Sequence, residues 1–80
     1  MKVVWNLEET VAIPVSNIKE FEVATTDEWS KESKAKWTGG RYYVIARYTI
    51  GACGDNVRVF TSDLKEDCIQ FIEKIWKENV

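Results

Sequence analysis

Apolar and polar positions alternate over most of the first 25 residues, the pattern of strands with one face buried. "KVVWNL" is rich in β-formers, "LEET" predicts a turn, and "TVAIPV" places Val11, Ile13 and Val15 on one side. Pro14 cannot donate to a ladder, so its strand must have one free side. "SNIK" predicts a second turn, and "KEFEVAT" alternates Phe21 and Val23 against Glu20 and Glu22. The clearest strand runs over 41–50. Tyr42, Val44, Ala46, Tyr48 and Ile50 share one face, and Arg41, Tyr43, Ile45, Arg47 and Thr49 share the other. "GACGDN" predicts a loop and "VRVFT" a returning strand, with Ile50 opposite Val57, Tyr48 opposite Val59 and Arg47 opposite Phe60.

The period changes after Thr61. Leu64, Cys68, Phe71, Ile72 and Ile75 recur at helical spacing, widened by Ile69 and Trp76, while Lys65, Glu66, Gln70, Glu73, Lys74 and Lys77 fill the other side. Ser62 is the expected N-cap, and Asp63, Glu66 and Asp67 suit the positive end of the dipole. Between these regions, 26–36 is polar apart from Trp29 and Ala35 and predicts a mobile connection or one irregular helical turn. Gly39-Gly40 read as a two-residue hairpin turn, with Trp37 and Tyr42 facing each other across it.

These elements predict an α+β fold. An antiparallel sheet of four to five strands forms a meander, and one C-terminal amphipathic helix packs on one face. Residues 1–80 form a single domain, with strands within 2–25 and 36–61 and a helix over about 63–78. The helix is expected to cover Val11, Ile13, Phe21, Val23, Val44, Ala46, Tyr48, Val57 and Val59.

The order "VAIPVSNIKEFEV", "RYYVIARYTI", "VRVFTSDLKEDCIQFIEKI" resembles that of small uncharacterised bacterial and phage proteins, some of them similar to reduced pleckstrin-homology-like half barrels. Ile18, Phe21, Val44, Ala46, Phe60, Phe71, Ile72 and Ile75 carry the resemblance, and Cys68 stands where alanine is usual. All are core or turn positions, so the resemblance implies a fold and transfers no active site. It leaves 26–40 unmatched.

Composition narrows the chemistry. With 45% hydrophobic residues and ten aromatics in 80, the chain can build a core without staples. A net charge of −2 is too weak to steer nucleic acid or an anionic membrane by bulk field. There is no histidine, and Cys53 and Cys68 form no CxxC, so neither a zinc site nor a general base poised near neutrality is indicated. Cys53 has no cationic neighbour in sequence to activate it. Asp55, Asp63 and Asp67 lack the spacing of a calcium loop. "TGGR" precedes a strand, not the helix N-terminus that a phosphate loop needs. We therefore expect no enzyme, cofactor or metal. No signal-like or membrane-spanning run is present, which makes the cytoplasm the expected location.

One feature survives. Strand parity puts all three arginines, Arg41, Arg47 and Arg58, on the face away from the helix with Tyr43, Ile45 and Phe60. Arg with Tyr and Phe is the composition of interface hot spots and of stacking platforms for single strands. Glu20 and Glu22 point the same way, and pairing with them would make this an ordinary solvated face. The functional expectation is a non-enzymatic interaction module, a small bacterial or phage accessory or inhibitor protein, docking on a protein or a second copy. The alternative is weak nucleic-acid binding by the same face with Lys34 and Lys36.

Overall fold

β4 (Tyr42–Ile50) is the centre of the molecule, pairing antiparallel with β3 (Ile18–Thr25) on one side and β5 (Cys53–Ser62) on the other. A computed structural model describes residues 2–78. Ahead of this three-stranded sheet lie β1 (Val3–Trp5) and β2 (Ala12–Pro14), an antiparallel pair of their own. A short helix α1 (Lys31–Lys36) interrupts the β3–β4 connection, and α2 (Lys65–Glu78) closes the chain. The α+β class, the β3-β4-β5 meander and the C-terminal helix on one face are as expected. The single sheet of four to five strands is not: among the described residues five strands form two sheets.

One irregularity lies beside the gap between the two sheets. The ladder between β4 and β5 slips between Val44 and Ile45, which pair with Phe60 and Arg58 and leave Val59 as a bulge. A bulge bends and overtwists its strand. Up to Arg58, β5 runs close enough to the first hairpin for Leu7 N–H to donate to the Arg58 carbonyl at 3.0 Å. Beyond it β1 and β5 part, and Phe60, Phe71 and Ile75 line the space between them.

The same bulge reverses a side chain. Phe60 does not join the arginine face. Its ring stacks on Phe71 of α2, with centroids 4.6 Å apart. The hairpin register also differs, because β4 and β5 join through Gly51-Ala52 alone, Gly51 taking φ 60°. "CGDN" is strand rather than loop, so Val57 faces Ala46, Asp55 faces Tyr48 and Asn56 faces Arg47.

Under α2 lies the expected apolar layer. Val44, Ala46 and Cys68 are wholly buried, with Ile13, Val15, Ile18, Tyr48 and Val59 around them. Each such aliphatic side chain stabilises the fold by about 1.5–3 kcal/mol. Phe21 meets Phe71 edge-on at 6.4 Å and Trp76 at 5.1 Å, which closes the β3 side. Leu64 and Val11, assigned to this layer by pattern, stay exposed. Ser62 serves the helix start from the last residue of β5. Its hydroxyl accepts from Leu64 N–H at 3.2 Å and donates to the Asp67 carboxylate at 2.7 Å.

Candidate functional site

The 26–41 connection carries the short helical turn expected of it, as α1, but Gly39-Gly40 make no two-residue turn between paired strands. Its ends are tied together. Thr26, buried, donates from both its N–H (2.9 Å) and its hydroxyl (3.2 Å) to the Arg41 carbonyl. Ser30 caps α1 by accepting from Ser33 N–H at 3.2 Å, with Glu32 in the first turn and Lys34 and Lys36 in the last. The chain then folds back through close approach. Trp37 Nε1–H donates to the Gly40 carbonyl at 2.8 Å, and a Cβ on Gly39 would collide with the Trp37 ring and the Thr61 hydroxyl. Gly40 N–H donates to that hydroxyl at 2.7 Å, and the hydroxyl donates on to the Tyr42 carbonyl at 2.8 Å.

This strap lays Trp29 and Trp37 on the sheet face opposite α2, against Tyr43. The three ring centroids are 5.6, 5.6 and 5.7 Å apart, all in tilted or edge-on contact. Tyr43 is 7% exposed beneath this cover. Arg58 projects from β5 over the cluster, its guanidinium carbon 5.1 Å from the Tyr43 ring, 5.3 Å from Trp37 and 5.4 Å from Trp29. Three ring faces and edges therefore hold one cation, a strong cation–π arrangement for an exposed side chain.

The other two arginines are matched inside the chain. Arg41 forms a fork with Asp27, both N–H···O distances 2.8 Å. The hydrogen bond from Arg41 holds the Asp27 carboxyl below its usual range, and Asp27 in turn raises the guanidinium above its own. Arg47 lies 2.8 Å from Glu22 and 3.7 Å from Glu20, the pairing that makes this part of the face an ordinary solvated one. Among the described residues Arg58 has no carboxylate partner and no side-chain hydrogen bond. It is exposed and borders two hollows. One, about 440 Å³, is shared with Lys36, Trp37 and Asn6–Glu8, and the other, about 340 Å³, with Trp29, Ser33 and Tyr43.

Of the six residues expected to form a site, the structure thus brings together Tyr43, Ile45 and Arg58, with Ile45 directly opposite Arg58 in the ladder. Arg47 and Arg41 share the face but are occupied by carboxylates, and Phe60 lies on the other side. The residues missed are Trp29 and Trp37. Their signal was present as a serine cap three residues ahead of Ser33, inside a polar stretch bracketed by two tryptophans.

Among the described residues no three Cys, Asp or Glu side chains gather as a metal site. Asp63 accepts from Arg41 N–H, and Asp67 from Ser62. Burial, with the Asp67 charge second, pushes the Cys68 thiol up. Cys53 is exposed at the start of β5. No helix among the described residues is long and apolar enough to cross a membrane. No protein-family model, curated protein or solved structure matches the chain.

Proposed function

We propose that the protein is a non-enzymatic interaction module, of the accessory or inhibitor kind, that recognises a partner protein through Arg58 and its aromatic platform. One observation carries this reading: among the described residues Arg58 is the single arginine whose N–H donors have no acceptor, although Trp29, Trp37 and Tyr43 hold it in place. A guanidinium fixed on rings has lost much of its freedom before binding, so matching its fork to a carboxylate or carbonyl costs less ordering. Arg, Trp and Tyr are also the residues most enriched at the centres of interfaces.

Nucleic acid is the weaker alternative. Stacked bases need open ring faces, whereas these rings contact one another and Arg58, and carboxylates neutralise Arg41 and Arg47. Binding to a thymidine oligonucleotide at low salt that fell steeply as salt rose would favour it.

The test is Arg58→Glu. A bait carrying the original chain should retain a host protein that the Arg58→Glu bait loses, with both unfolding at the same temperature. Equal retention by both baits would sink Arg58 as the recognition centre.

A further inference from the structure

A second surface has a different chemistry, that of unmatched backbone. In the β1–β2 ladder Asn6 N–H donates to the Val11 carbonyl and Val15 N–H to the Lys2 carbonyl, so residues 2, 4 and 6 turn their peptide groups toward β2. Antiparallel pairing alternates, and Val3 and Trp5 therefore direct theirs the other way. On β5, Val44 lies opposite Phe60 and Tyr42 opposite Ser62, and alternation counted from the Ile50–Cys53 turn across the bulge makes these the hydrogen-bonded pairs. Thr61 thus points its peptide groups away from β4. Two strand edges face one another across a cleft of about 520 Å³, joined at one end by the Leu7–Arg58 hydrogen bond and open at the other. Val4, Val15, Phe60, Phe71 and Ile75 give it an apolar lining.

Exposed edges are normally guarded. The outer edge of β3 carries Lys19, Glu20 and Glu22, charges that deter pairing. Val3 to Trp5 and Val59 to Thr61 carry none, and Trp5 is 50% exposed. Backbone groups beside apolar lining call for an extended chain as the complement. The occupant must be a lone strand, since the edge of a folded sheet would bring its neighbouring strand into the same space. That excludes the strands of a second copy. Charge narrows it further. At the open end Lys2 shares Glu78 at 3.3 Å, and Lys74 has no partner among the described residues, whereas Glu9 lies at the closed end.

We infer that the cleft between β1 and β5 accepts a single extended segment of a partner protein, with apolar side chains at alternate positions and a carboxylate at the end beside Lys2 and Lys74. The segment would join the two sheets that part beside the bulge at Val59. Nothing in this depends on the Arg58 guanidinium, so the two sites fail or stand separately.

The probe is a library of random linear peptides displayed on phage, selected on the immobilised protein, with the enriched peptide then synthesised. Enriched sequences should alternate apolar residues and carry Asp or Glu at one end. The peptide should slow amide exchange at Val3, Trp5 and Thr61, and Lys74→Glu should weaken it about fivefold, the scale of one exposed ion pair. Arg58→Glu should leave its affinity unchanged. Three results overturn the inference: no enrichment, enriched peptides that leave these amides unprotected, or protection of the same amides by laurate alone or by dimer formation.

Discussion

The two faces of the three-stranded sheet are covered in opposite ways. Under α2 the layer is closed, with Val44, Ala46 and Cys68 at 0% exposure and Phe21, Phe60 and Phe71 packed around them. Under the α1 strap it is aromatic and half-open, with Tyr43 buried but Trp29 and Trp37 only partly so, and a charged Arg58 set on top. The first cover comes from a 14-residue helix whose apolar stripe matches the sheet. The second comes from a six-residue helix with no buried residue of its own, held by two tryptophans and a set of loop hydrogen bonds. One face is closed by a long helix; the other sets a cation on large, partly exposed rings.

Substitutions can break or sharpen that contrast. Val44→Ala should destabilise the protein most, by about 2–3 kcal/mol, from lost burial and the cavity left at a fully enclosed site. Trp37→Ala removes two ring contacts and a hydrogen bond from a partly solvated cluster and should cost about 1–2 kcal/mol. Urea unfolding at neutral pH measures both. A loss for Trp37→Ala equal to or above that for Val44→Ala would make the strap a second core and erase the contrast. Arg58→Met keeps the stem on the rings and removes the charge, so stability should change by less than about 1 kcal/mol. A larger loss would mean that Arg58 is a structural post rather than a free recognition group.

How much of this the sequence disclosed depended on whether local pattern or distant contact decided the outcome. α2 and the two faces of β4 follow from periodicity alone, because burial on one side fixes register. β5 was legible as a strand but not in its pairing. No local signal distinguishes the extra residue at Val59 from Val57. That single insertion sent Phe60 to the helix face, and the one expected sheet is two. The strap failed for another reason. Trp29 and Trp37 are eight positions apart, and only folding through Ser30, Gly39 and Thr61 brings both to Tyr43. Reading the chain locally, Gly39-Gly40 fits a hairpin equally well; what the structure requires of Gly39 is room for the Trp37 ring.

The smallest effect concerns the tie that closes the strap. Arg41 holds Asp27 in a fork and lowers its pKa, first by hydrogen bonding. A carboxyl whose folded pKa is depressed adds stability above its unfolded value, near 3.9, and loses it as pH falls through the lower folded value. The raised guanidinium of Arg41 adds no pH dependence in the range where the protein can be studied, since Arg stays protonated in both states. Both partners are well exposed, so salt and solvent screen the pair. Asp27→Asn should therefore lower the urea midpoint slightly at pH 7 and low salt. The gap from the original chain should close below about pH 4 and shrink in high salt. If it persists undiminished at pH 2, Asp27 supports the strap through packing, and the strap's hold on the aromatic face does not run through this ion pair.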